Sequence, residues 1–281
     1  MFRLVGSMNM VMYALFFATG YAFHPYYHYR RRQHHSHRGV NLLDQQDYYR
    51  RQLVKLCINI PTDPSIIEHN RQYLSNALGF SQQKLDKLFI TAPTILTLST
   101  ENIEHKLDWL QQRLKLDDTA LSKMIQRMPI ILSYSITDNI EPTLDWIQDR
   151  ISLTDEQLTK VIQRMPSILS LSIDDNIEPT LDWVQERLQL DDTALSKLIQ
   201  RSPNVLSTST EIIEDKLNWL QQRLSLTDDE LSKVIQKQPT IFNLNIVSNL
   251  EPTLNFYIDA LGDENQALAL VKRRPSALLL V

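Results

Sequence analysis

The chain has a single cysteine, Cys57, so it can form no internal disulfide and no cysteine cage for zinc. Cys57 falls 36 residues before Pro93, in a slot that later holds proline, and reads as a small buried residue of an altered first repeat. Glycine is almost as scarce, with five in 281 residues and none between Gly79 and Gly262, which leaves no glycine-rich phosphate loop in that stretch. Histidine beyond residue 40 is limited to His69 and His105, 36 residues apart and without the Cys or carboxylate cluster of a metal site. Paired acids such as Asp191 and Asp192 read as capping groups at a helix start. No catalytic constellation emerges. These absences point away from an enzyme and give no cofactor, no metal and no small-molecule substrate.

Acid is also missing from the first 40 residues, where Arg3, Arg30, Arg31, Arg32 and Arg38 are the only charged side chains. The formal net charge of −4 therefore hides a split: the rest of the chain carries 24 Lys and Arg against 33 Asp and Glu, about −9. An apolar run from Leu4 to Phe23 precedes the basic, His-rich tract HPYYHYRRRQHHSHRG. That order is the layout of a signal peptide (1–22) followed by a transit-like segment (23–43). Gly20 and Ala22 place cleavage before Phe23, and ATGYAFHP resembles the aromatic-containing motif of bipartite plastid presequences in diatoms and related algae. A plastid address is favoured, with a mitochondrial presequence as the alternative. The apolar run is also about long enough to be a retained membrane anchor.

Pro93, Pro129, Pro166, Pro203, Pro239 and Pro275 recur every 36 or 37 residues, and Trp109, Trp146, Trp183 and Trp219 keep the same spacing. Tyr73 and Phe256 fill the equivalent slots at either end. Two markers in one period define a repeat array over 44–281, whose units are too small to bury a core alone and must stack. In one unit, Leu121, Met124, Ile125 and Met128 follow helical spacing behind an N-cap supplied by Asp117, Asp118 or Thr119, which defines helix A. Pro129 ends it, because it has no amide hydrogen and disfavours a helical residue before it. After a short tight segment, Ile140, Leu144, Ile147 and Ile151 stripe helix B, with Asp138 as its expected cap. Pro142, Pro179 and Pro252 are expected in its first turn, with Lys106 and Lys216 in that slot elsewhere. The tryptophans read as packing residues.

Helices that end in Pro-x-Ile/Val-Leu (Pro129 to Leu132, Pro166 to Leu169, Pro203 to Leu206), followed by Asn-Ile-Glu-Pro-x-Leu, resemble the repeat of the mitochondrial transcription termination factor (mTERF) family. Gly79-Phe80-Ser81 and Leu261-Gly262 resemble that family's Leu-Gly-x-Ser junction. The resemblance covers about Gln52 to Val281. It implies an all-α fold, a right-handed superhelical solenoid of about six to seven helix-helix-3₁₀ repeats. It also implies an organellar factor that binds double-stranded DNA or structured RNA along its concave face and regulates transcription termination or gene expression, alongside organellar transcription or ribosome-assembly proteins. The acidic array departs from the basic character usual among DNA-binding members.

The cations keep registers of their own. Six residues before the proline stand Lys123, Lys160, Lys197 and Lys233, and two before it Arg127, Arg164, Arg201, Lys237 and Arg273. Four-residue spacing puts both sets on one face of helix A, and these nine residues are the expected nucleic-acid contacts. A second row, Arg113, Arg150, Arg187 and Arg223, follows each tryptophan by four residues. Glu104, Glu141, Glu178, Glu214 and Glu251, with the acids that open helix A, are expected on edges and caps. Ordinary i, i+4 pairs such as Glu156–Lys160 and Asp229–Lys233 are the competing reading of the stripe. The competing function is a protein-binding helical scaffold without nucleic-acid affinity.

Overall fold

The computed structural model describes residues 64–279. The signal-peptide and transit-like segments, Cys57 and the expected start of the array at 44–63 lie outside the described residues. Among the described residues there are twelve α-helices and no strand. The B helices are α1 (Pro64–Leu78), α3 (Thr100–Arg113), α5 (Glu141–Arg150), α7 (Glu178–Arg187), α9 (Thr210–Arg223) and α11 (Glu251–Leu261). They alternate with the A helices α2 (Gln82–Thr91), α4 (Asp118–Arg127), α6 (Asp155–Arg164), α8 (Asp192–Arg201), α10 (Asp228–Lys237) and α12 (Glu264–Arg273). Each A helix is followed by a five-residue 3₁₀ turn that starts on the recurring proline, as in Pro129–Ser133 and Pro166–Ser170. The expected helical repeat solenoid is present, with six A helices and six proline-led turns among the described residues.

Helix A is capped as its sequence demands. Asp117 and Asp191 accept from Ala120 N and Ala194 N at 2.7 Å, while Thr154 and Thr227 form full capping boxes with Gln157 and Glu230. At the other end Met128 N donates to Met124 O at 2.9 Å, the last α-type bond before a proline that has no hydrogen to give. The chain tightens instead, and Ile131 N reaches back to Met128 O at 3.3 Å. Leu121, Met124 and Ile125 are buried, and their equivalents Leu158, Val161 and Ile162 are fully covered. Each such side chain contributes about 1.5–3 kcal/mol of burial.

Helix B starts differently from expectation. Its cap is not Asp138 but Ser135, which accepts from Asp138 N at 3.2 Å and donates to Asp138 Oδ2 at 2.9 Å. Helical structure thus begins three residues earlier, as a π turn at Ile136–Ile140, and the same turn recurs at Ile173–Ile177 and Ile246–Leu250. These are the three repeats whose seventh residue after the cap is Pro142, Pro179 or Pro252. Inside a helix the proline ring collides with the carbonyl four residues back. Widening the turn, with Ile140 N donating to Ser135 O at 3.0 Å, moves that carbonyl aside. Where lysine takes the slot, in α3 and α9, no widening is needed. There Ile103 N and Ile213 N make ordinary bonds to Ser99 O and Ser209 O at 3.1 Å.

Short junctions turn helix B into the next helix A. Each places one residue in the left-handed region: Gly79 and Gly262 near the ends, but Lys115, Ser152, Gln189 and Ser225 in the centre, with φ of 47–52°. Leu116 N donates to Gln111 O at 2.9 Å and Lys115 N to Gln112 O at 3.3 Å, the paired bonds of a Schellman ending. A side chain at such a position costs about 1–2 kcal/mol relative to the right-handed conformation. Neighbouring repeats stack like on like, with A helices against A helices (α6 on α8, α8 on α10) and 3₁₀ turns against 3₁₀ turns. The apolar stripes of both helices merge into one continuous core, against which Trp109, Trp146, Trp183 and Trp219 pack half-buried.

Candidate nucleic-acid interface

Helix A turns its apolar stripe inward, which leaves the residues between the buried positions to face solvent. All nine expected contacts, Lys123, Arg127, Lys160, Arg164, Lys197, Arg201, Lys233, Lys237 and Arg273, are exposed. Because A helices stack on A helices, the sets from successive repeats are brought together into two adjacent rows.

Three of the four arginines of this surface are held in place. Arg127 Nη1 donates to Gln163 O at 2.7 Å, Arg164 Nη1 donates to Gln200 O, and Arg201 Nη1 donates to Lys237 O at 3.0 Å. Each acceptor is a carbonyl at the end of the next repeat's helix A, where no amide remains to satisfy it and the helix dipole favours a cation. A guanidinium has five N–H groups, so one or two bonds to a carbonyl leave most of the fork for another acceptor. The lysines are free of such ties. Among the described residues Lys123, Lys160, Lys197 and Lys233 enter no ion pair, and neither Glu156–Lys160 nor Asp229–Lys233 forms.

The second arginine row does not add to this surface. Arg113 meets Asp145 at 2.7 Å, Arg150 meets Asp182 at 2.5 Å, Arg187 meets Glu214 at 2.8 Å, and Arg223 meets Glu264 at 2.5 Å and Glu251 at 3.4 Å. Standing at the end of one B helix, these side chains reach acids of the following repeat and are neutralised there. The Arg223 guanidinium is held charged above its ordinary range, chiefly by Glu264. Glu214 and Glu251 are accordingly ion-pair partners rather than plain caps, and Glu251 also accepts from Trp219 Nε1 at 2.9 Å.

The acids that open helix A are occupied too. Gln111, Gln148, Gln185 and Gln221 donate to Asp118, Asp155, Asp192 and Asp228 at 2.8–3.0 Å, bracing each B helix to the A helix that follows. Hydrogen bonds from Lys115 and Gln148 hold the Asp155 carboxyl below the usual range. Exposed acid outside any ion pair lies on the B helices, at Asp108, Asp149, Glu186 and Asp215, and also at the start of helix A, at Glu156 and Asp229. In α4, α6, α8 and α10 the acids gather in the first turn and the Lys and Arg rows stand in the later turns.

Two cations have a role the sequence did not disclose. Lys106 and Lys216, in the slot of Pro142, are only 7% and 8% exposed. Their ammonium groups donate to Leu132 O and Phe242 O, both at 2.5 Å, in the next repeat's 3₁₀ turn. Asn70, in the same slot, donates to Leu98 O at 2.8 Å. Burial lowers both lysine pKa values. Alignment by the proline period reveals the slot, but the acceptor that decides its use lies 26 residues away. His69 and His105 are both exposed, and among the described residues no group of three or more His, Cys, Asp or Glu could hold a metal ion.

An all-α array of two-helix units closed by proline-led 3₁₀ turns, with exposed cations in register along the A helices, is a helical repeat protein. The mTERF family model matches residues 40–189 and 183–281, and the chain belongs to that family of nucleic-acid-binding helical repeat proteins. No curated protein matches the chain.

Proposed function

We propose that this protein binds nucleic acid, double-stranded DNA or structured RNA, along the A-helix face and regulates organellar gene expression, with transcription termination the favoured role. The observation that carries the reading is the double row of exposed A-helix cations, left unpaired or only partly engaged while the other arginine row is neutralised. A polyanion needs clustered cations free to replace its counterions, and this layer supplies them despite the acidic total. Membership of the mTERF family supports the same reading. A plastid location, favoured by the signal-like and transit-like N-terminus, completes the proposal, with the mitochondrion as the alternative.

The acidic B layer supports a second reading, a scaffold that docks a basic protein. One experiment separates them: binding of the purified chain to duplex DNA and to structured RNA, measured from low to physiological salt. Affinity that falls steeply with salt supports the first reading. Absence of binding at low salt overturns it in favour of the scaffold. Location is tested by the mature N-terminus of the organellar protein, expected at Phe23 or downstream; intact Met1 would refute the import route.

A further inference from the structure

Resting on the nucleic-acid reading above, we propose that the residue directly after each recurring proline forms a base-reading row, and that what it reads is the unpaired bases of a structured RNA. The positions are Thr94, Ile130, Ser167, Asn204, Thr240 and Ser276. Each is the second residue of the 3₁₀ turn that follows an A helix. Ser167, Asn204 and Ser276 are exposed and the other three half-buried. Two of these side chains also touch the last residue of the next turn: Thr94 and Ser133 hydroxyls share a hydrogen bond at 2.6 Å, and Asn204 Nδ2 donates to Asn243 Oδ1 at 3.4 Å.

Within this layer the units differ in an instructive way. The exposed Lys–Arg pair is kept in the repeats of α4, α6 and α8 and remains a pair of cations in that of α10, Lys233 with Lys237. Across the same four repeats the residue after the proline changes from Ile to Ser to Asn to Thr. Constant cations suit a phosphate chain that is the same at every step, and a changing hydrogen-bonding side chain suits bases that are not. Ser and Thr offer one donor and two acceptors, Asn both a donor pair and a carbonyl, and Ile none.

Reach decides between paired and unpaired targets. The base edges of a duplex lie at the floor of a groove about 8.5 Å deep in DNA; RNA's major groove is too narrow for side chains to enter, and its shallow minor groove is recognised by shape and 2′-hydroxyls more than by sequence. Short side chains on a 3₁₀ turn that follows the cation-bearing helix read base identity best where bases have been splayed out of a helix. One base per helical repeat is the arrangement such stacked units make available.

The test is selection from a random RNA library by the full chain, compared with the exchange variant Ser167→Asn with Asn204→Ser. The expected result is a short single-stranded motif in which the exchange alters base preference at two positions by about five- to tenfold, the worth of one hydrogen bond. Overall affinity at low salt, salt slope and helical circular dichroism should not move. A motif untouched by the exchange overturns the row, as does salt-dependent binding with no motif or binding to duplex alone. Those results leave the phosphate-binding reading standing, whereas failure to retain any nucleic acid removes both.

Discussion

Neutralising the four A-helix lysines is the most direct probe of the proposed surface. Lys123, Lys160, Lys197 and Lys233 are exposed and enter no ion pair among the described residues, so replacing all four with Gln leaves the core and the caps intact. If each neutralises one phosphate, their loss removes about 0.9 from the log-log salt slope apiece on duplex DNA, or about 0.7 on a single strand. Four lysines then flatten the slope by about three to four units. Over a fourfold change in salt, from 50 to 200 mM, a difference of that size changes the relative affinity of wild type and variant by about a hundredfold. Fluorescence anisotropy with a fixed probe across that range reads the slope directly. The arginines are a poorer probe, because Arg127, Arg164 and Arg201 also cap neighbouring helices and their removal affects stability. A quadruple variant with an unchanged slope would show that the lysines are a solvated face and that the phosphates, if bound, lie elsewhere.

Stability offers further tests. Ser152→Gly relieves a left-handed serine and should stabilise the protein by about 0.5–1 kcal/mol after the extra unfolded-state entropy of glycine, whereas Gly262→Ala should destabilise it by about 1 kcal/mol. Thermal melts read both, and a lower melting temperature for Ser152→Gly contradicts the junction geometry. Thr227→Ala removes a capping box and should cost about 1 kcal/mol in denaturant titration, with no loss refuting the cap. Lys106 and Lys216 titrate below the free lysine value of 10.5, so in the alkaline window up to that value the unfolded chain binds more protons and stability rises with pH. Any stability difference between wild type and Lys106→Met should therefore shift in favour of wild type as pH approaches 10.5; a constant difference from pH 8 upward overturns the assignment.

The parts of the fold that could be read from the chain are those with a local cause. Pro129 and its equivalents lack a hydrogen wherever they stand, and Leu121, Met124 and Ile125 share a face of any helix, so the units and their core were legible. The π turns were not, because the sequence places Pro142 near a helix start without showing that Ser135 opens that helix three residues earlier than Asp138. Gly79 and Gly262 advertise a left-handed junction, while Lys115 and Ser152 at the same step give no such sign. For the site, the A-helix rows followed from four-residue spacing. The fate of Arg113 or Arg187 did not, since the acids that neutralise them belong to another repeat and only stacking brings them together.

The bonds from Arg127, Arg164 and Arg201 to the next helix end tie the position of a charge to the backbone rather than to a long, mobile side chain. The row then behaves as a ruler, its marks set by the distance between stacked helices, about 8–10 Å. Shearing or stretching the stack moves the marks, so mechanical deformation of the array and its match to a charged polymer become a single quantity. A load that separates two neighbours is felt first as an arginine leaving its carbonyl.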